Sequence, residues 1–410
     1  MNELLPLWQP GATAWAGWPT VQWSLLLAAA ALCGYACQRQ LGLPKVVGYA
    51  LVGALAGLLG FGGPLWPLQG PVLFALELGV AVVLFSCGSR INWRWFSHNP
   101  MVLVQSVLET TLTYLAVFLV LLALGVESHI AGPVGLIAMA ASPVVLTRVV
   151  ADTHAAGPVT DRAVVLATLS TLYALTLGAA KARIFASQTQ SLWQDITPVV
   201  QVLLVSMAVA ALLYVLIRLA LRLMSPLSQN TSVLVLALIT AATACASALG
   251  GSAPLAALLA GMLLKQLHPR PLPWSERLGT VSTLLGMLMF LLVSTVAAHA
   301  PWNGGIALLV LAMVLVRLLA KAVGVGLGNL GSGASWRQAA WTATAMAPLS
   351  AVALLMTAPF VQNGSEAGQA IAGIALPAIL LMELLGAIGA TWALRRAGEA
   401  RNTIGVRHDA

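Results

Sequence analysis

The chain has 410 residues, of which 60% are hydrophobic and only 8% charged, with a formal net charge of +8 and a mean hydropathy of +0.92. A soluble globular protein needs about 25% charged residues to keep its surface wetted, so the composition excludes a soluble enzyme, a disordered chain and a collagen-like fibre. The apolar residues run in long unbroken stretches rather than alternating segments of about ten, which excludes a transmembrane barrel and leaves an all-α polytopic membrane protein whose first partner is the lipid bilayer.

A bilayer core about 30 Å thick takes roughly 20 apolar helical residues. Residues 1–20 lack a basic n-region and a cleavable h-region, and are expected to form an extracytoplasmic lead-in. Thirteen spans are then predicted, at approximately 21–38, 45–61, 71–88, 101–125, 131–150, 162–180, 197–222, 231–249, 253–267, 279–298, 304–328, 337–360 and 367–394. A short cytoplasmic tail, 396–410, follows. The transmembrane domain as a whole is read as 21–395.

Lys and Arg in alternate connections fix the sides. Arg39, Lys45, Arg90, Arg94, Arg148, Arg162, Arg218, Arg222, Lys265, Arg270, Arg277, Arg337 and the tail arginines share one side, against only Lys181 and Arg183 on the other. The N-terminus is therefore placed outside and the C-terminus in the cytoplasm, in a bacterial inner (plasma) membrane. Basic residues sit singly between apolar runs, without a stripe or tail that would engage nucleic acid. The four cysteines, Cys33, Cys37, Cys87 and Cys245, form no CxxC pair, and the histidines fall in predicted connections or at helix ends. Neither a metal site nor another cofactor is expected.

The two halves resemble each other. Met139-Ala-Ala-Ser-Pro143 in span five matches Ala345-Met-Ala-Pro348-Leu-Ser350 in span twelve. Leu78-Gly79 with Phe85 matches Leu285-Gly286 with Phe290, and Ala56-Gly57 matches Ala260-Gly261. Repeat one is about 21–180, the connector span is 197–222, and repeat two is about 231–395. A one-span connector inverts the second copy, a signature of secondary transporters. Pro143 and Pro348 each interrupt a span among small polar residues. Proline removes a helix hydrogen bond and frees a carbonyl, and bare backbone at that depth must be buried in protein or line a wet cavity. The symmetric pair points to a midplane site for an ion or polar substrate.

An ionisable residue at mid-span costs about 2.5–3.5 kcal/mol on insertion scales, so it has a partner or a function. The residues concerned are Glu77, Glu109, Arg317, Lys321 and Glu383. Arg317 and Lys321 are four apart and share a helix face; either could pair with any of the three glutamates. A buried lysine can also release its proton or exchange a counter-ion. Gly326-Leu-Gly328-Asn-Leu-Gly331 fits the dinucleotide pattern, but it ends a membrane run and opens no βαβ unit, so chance explains it.

Leu43-Pro-Lys-Val-Val-Gly-Tyr49, Glu77-Leu-Gly79, Ser142-Pro-Val-Val-Leu146, Ala257-Leu-Leu-Ala-Gly261, Lys321 with its spacing to Ala347-Pro348, and Glu383-Leu-Leu-Gly386 resemble the membrane domain of the monovalent cation:proton antiporter superfamily, in its Kef-like branch. The resemblance covers about residues 22 to 396. It implies a sodium/proton antiporter-like fold of thirteen helices, in which a core domain with two broken, crossed helices moves against a dimerisation domain. It further implies a homodimer that exchanges protons for sodium or potassium. The family's basic residue near the crossing falls on Lys321.

The sequence departs from that pattern at one position above all. The family's cation- and proton-binding carboxylate in span six falls on Leu172, within Leu169-Ser170-Thr171-Leu172-Tyr173, and after Pro348 stand Leu349, Ser350 and Ala351. Ser142, Ser170, Thr171, Ser350 and freed carbonyls could coordinate a cation, but they could not carry the proton. Three readings therefore stay open: a cation:proton antiporter with a relocated carboxylate at Glu77 or Glu109, an antiporter-fold transporter of an anion or other solute, and a non-transporting membrane homologue.

Overall fold

Sixteen helices and no strand make up the described part of the computed structural model, which comprises residues 18–60, 67–187, 192–225, 228–267, 274–300, 302–362 and 364–400. The lead-in up to residue 17 and the tail from residue 401 lie outside it. In hydrocarbon no water is available for backbone groups, so an apolar run closes its own hydrogen bonds as a helix. Nine stretches of the described residues are long and apolar enough to cross a bilayer, and four shorter apolar helices, Lys45–Leu58, Ala253–Leu267, Thr283–Ala298 and Ala351–Val361, accompany them.

In chain order the helices are α1 (Trp18–Leu41), α2 (Lys45–Leu58), α3 (Gly70–Gly88), α4 (Trp93–His98), α5 (Met101–Ala123), α6 (Ser128–Met139), α7 (Pro143–Thr153), α8 (Pro158–Ser187), α9 (Leu192–Leu223), α10 (Gln229–Ala248), α11 (Ala253–Leu267), α12 (Trp274–Ala298), α13 (Gly304–Leu327), α14 (Trp336–Ala345), α15 (Ala351–Val361) and α16 (Glu366–Arg396). Every predicted span corresponds to one helix or to a helix pair. Spans five and twelve are the pairs, α6–α7 and α14–α15, each interrupted at its proline. The short α4 was not anticipated, because six residues are too few for a hydropathy signal.

The packing repeats. Helix α2 packs on α12, and α3 packs on α11. In the first contact Gly53 and Gly57 lie against the backbone of Leu291 and Thr295; in the second Gly88 and Gly261 lie against the backbone of Leu258 and Phe85. A side chain at any of the four would collide with a helix backbone, so these small residues set the close approach. Helix α5 packs on α13, its counterpart in the second half. Helices α8 and α16 each pack against all four half-helices, α6, α7, α14 and α15. This exchange of partners between the two halves is what inverted repeats produce, and it places the two chain breaks side by side in the interior.

Candidate functional site at the helix crossing

Helix α6 ends at Met139, residues 140–142 are extended, and α7 restarts with Pro143 in its first turn, where a missing N–H costs nothing. The Ser142 hydroxyl caps α7 by accepting from the Val145 N–H at 3.3 Å. Helix α14 ends at Ala345, and residues 346–350 cross over before α15 begins. The breaks touch directly, with the Ser142 N–H donating to the Pro348 carbonyl at 3.0 Å.

Interrupted helices leave carbonyls without intrahelical donors, and α13 supplies the donors. Arg317 is fully buried. Its Nε donates to the Ala138 carbonyl at 2.8 Å, Nη2 to Ala140 at 2.8 Å and Pro348 at 3.4 Å, and Nη1 to Ala347 at 2.6 Å and the Met382 sulfur at 3.5 Å. A guanidinium has five N–H donors in a fixed fork, and these five acceptors match them. The sequence suggested that freed carbonyls would face a transported ion; four of them instead face this fixed cation.

One turn further along α13, Lys321 donates to Glu109 Oε2 at 2.8 Å and to the Met139 carbonyl at 3.1 Å. Met139 lies four residues before Pro143, so its carbonyl is the one the proline frees. The side chains of Lys321 and Glu109 are 1% and 0% exposed. Glu109 rides on α5, which Gly324 lets approach α13 at backbone distance. Its second oxygen, Oε1, has no hydrogen-bond partner among the described residues.

Helix α8 supports the first break with hydroxyls. Thr171 Oγ1 donates to the Ala141 carbonyl at 2.6 Å and to Ala167 at 2.8 Å, while Ser170 Oγ accepts from the Ala141 N–H at 3.2 Å. Leu172, where the family acid was expected, is half-buried among apolar side chains. Helix α16 supports the second break with a carboxylate: Glu383 accepts from Ser350 Oγ at 2.7 Å through Oε1 and from Ser294 Oγ at 2.7 Å through Oε2.

Ser142, Pro143, Thr171, Pro348, Ser350, Arg317, Lys321, Glu109 and Glu383 thus converge at the crossing. Glu77 does not. It sits on α3, accepts from Ser247 of α10 at 3.1 Å, and lines a cavity of about 120 Å³ with Leu175, Gly178, Ser252, Leu355 and Met356. Leu172 lies one turn from Leu175 on the same face of α8. Sequence reasoning missed Ser294 and Gln105. Both are polar residues inside apolar runs, a signal that was present but was followed only for charges.

Two broken helices crossing within an inverted repeat, held by buried cations from a third helix, define a secondary transporter of the antiporter fold. The profile of the family described as "Sodium/hydrogen exchanger, transmembrane" matches residues 27–396. The chain belongs to that family, within the monovalent cation:proton antiporter superfamily, and its function is cation:proton antiport. Its fold is similar to that of the sodium proton antiporter MjNhaP1 from Methanocaldococcus jannaschii at pH 8, with a TM-score of 0.72 and 16% identity over 93% of this chain and 98% of that one. An electron-microscopy structure of the same antiporter gives a TM-score of 0.70 and 16% identity over 95% of this chain and 100% of that one. Among curated proteins none matches the sequence significantly.

Proposed function

We propose that this chain exchanges sodium or potassium for a proton through the Glu109–Lys321 pair, which takes over the task of the acid replaced by Leu172. The observation that carries the reading is the buried 2.8 Å ion pair at the crossing with one carboxylate oxygen left over. Lys321 and Glu109 together are neutral. Adding a monovalent cation to Glu109 would leave an uncompensated positive charge in a low-dielectric interior, at a cost of several kcal/mol. Loss of the Lys321 proton restores neutrality. Cation entry and proton release are thereby coupled by charge balance, and neither ion can be carried alone without the full penalty.

Two further observations support this assignment. Arg317 has its donors spent on backbone carbonyls, so it offers no free cationic group to an anionic substrate. The Glu77 cavity lies at the α10–α11 turn and is lined on α8 by Leu175, one turn from Leu172. By the distribution of Lys and Arg that turn faces outward and the tail faces the cytoplasm of a bacterial inner membrane. The working unit is a homodimer.

The test is the purified protein in liposomes carrying an imposed pH gradient. Sodium or potassium should collapse the gradient, and Glu109→Gln and Lys321→Met should each abolish the effect while the protein remains monodisperse in detergent. A wild-type protein that leaves the gradient intact with every monovalent cation would end the antiport reading. Full activity in Glu109→Gln would move the coupling elsewhere.

A further inference from the structure

The seam between α5 and α13 holds a second polar side chain that the ion pair does not use. Gln105 lies four residues before Glu109, on the same face of α5. Its Nε2 donates to the Val325 carbonyl of α13 at 2.6 Å. Val325 lies four residues after Lys321, the partner of Glu109. The two side chains therefore make parallel rungs across one antiparallel seam, each anchored through one head-group atom to α13. Each also keeps one oxygen back. Gln105 Oε1 and Glu109 Oε1 are both buried and have no hydrogen-bond partner among the described residues, and both residues are 0% exposed.

Buried acceptors are nearly always satisfied, and each orphan costs about 1–3 kcal/mol. Two orphans one helical turn apart are a stronger signal than one, because side chains at that spacing can share a single ligand. The helices approach closely here: a side chain at Gly324 would meet the Glu109 backbone, and one at Gly328 would meet Gln105.

We infer that Gln105 Oε1 and Glu109 Oε1 together form the seat of the transported monovalent cation, with Gln105 as a ligand that sets its affinity. The inference rests on the antiport reading above. Oxygen donors suit hard cations. One carboxylate beside one lysine suits a single charge, since a divalent ion would leave net positive charge buried even after Lys321 gave up its proton. The amide contributes a dipole without a second negative charge, so the seat can empty into either aqueous phase.

The experiment compares wild type with Gln105→Met and Gln105→Asn in proteoliposomes, titrating sodium, lithium and potassium at fixed pH gradient. Gln105→Met keeps the length and volume but removes the oxygen. The KM for the transported cation should rise about tenfold or more, the scale seen when a metal site loses a supporting group, with kcat changed less than about threefold. Gln105→Asn, shorter by one methylene, should give an intermediate rise in KM. The same proteins in detergent supply a readout independent of transport. The cation should raise the Tm of wild type over choline chloride, because a ligand bound only to the folded state stabilises it, and Gln105→Met should lose that shift. Wild-type exchange with an unchanged KM and Tm shift in both variants would overturn the seat alone and leave an ordered water as the occupant. A wild type that exchanges no cation and shows no cation-dependent Tm shift would overturn the antiport reading and the seat with it.

Discussion

The α6–α7 break is held by neutral hydroxyls, with Ser170 and Thr171 of α8 both bonded to Ala141. The α14–α15 break is held by a carboxylate, with Glu383 of α16 bonded to Ser350. The two supporting helices occupy matching places in the repeats, yet only the second bonds its break through an acid. A group that must take up and release ions needs to be free of permanent partners in one of its states. Glu383 has both oxygens committed to serines, whereas Glu109, imported from α5 to serve the first break, has one oxygen uncommitted. On the proposed reading, structure falls to the α16 side and exchange to the α5–α13 side.

Removing Arg317 should break both sides at once and have the largest effect. Arg317→Met would orphan the carbonyls of Ala138, Ala140, Ala347 and Pro348, at about 1–3 kcal/mol each. The total approaches the whole stability of a domain. The expected outcome is loss of the monodisperse peak in detergent size-exclusion chromatography, with Arg317→Lys rescuing little because a point charge cannot fork to four carbonyls. A well-behaved, thermostable Arg317→Met would show that water can take over those carbonyls and that the crossing is less dry than its burial indicates.

The next largest contrast is between the two supports. Glu383→Leu strands two buried serine hydroxyls and should cost about 2–4 kcal/mol, while Ser170→Ala exposes only the Ala141 N–H to loss and should cost about 1–2 kcal/mol. Thermal unfolding in detergent reads both. Glu383→Gln should keep most of the stability and most of the transport, since a neutral amide still accepts from Ser294 or Ser350. Abolished transport in a stable Glu383→Gln would reverse the assignment and make α16 the exchanging side.

The sequence made the spans, both breaks and the five in-span charges legible, because lipid imposes strong rules on length and on backbone satisfaction. It could not say which glutamate meets Lys321. The pairing joins positions 212 apart, and nothing in the local pattern of α5 reveals which helix its polar face will touch. The fate of the freed carbonyls was equally hidden. Proline announces that a carbonyl is released, but not that a lysine from a later helix will claim it before an ion can. Glu77 looked the equal of Glu109 by depth alone, and only packing separates the cavity from the crossing.

Leu172→Asp tests whether α8 has lost only its titrating group. The side chain is half-buried, one turn from the cavity-lining Leu175 on α8. An added carboxylate there replaces a side chain that is not fully buried, so stability should fall by about 1–2 kcal/mol. In a Glu109→Gln background it should restore cation-dependent proton flux to about a tenth of the wild-type rate, roughly 1.4 kcal/mol short in barrier. Silence in that double variant, from protein as stable as the single one, would mean that the coupling geometry now belongs to α5 and α13.

Glu77→Gln should have the smallest effect, and its smallness is informative. Ser247 donates to Glu77 at 3.1 Å, and an amide oxygen can accept the same bond. If the cavity is only an approach, removing its charge weakens the attraction for a cation at an exposed site, an effect of about 1 kcal/mol or less. The KM should then rise no more than about fivefold, falling toward no change as ionic strength screens the charge. A loss of exchange as complete as that in Glu109→Gln would place a coupling carboxylate on α3. The ion would then be handled at the cavity, and the buried pair at the crossing would be reduced to the same structural task as Arg317.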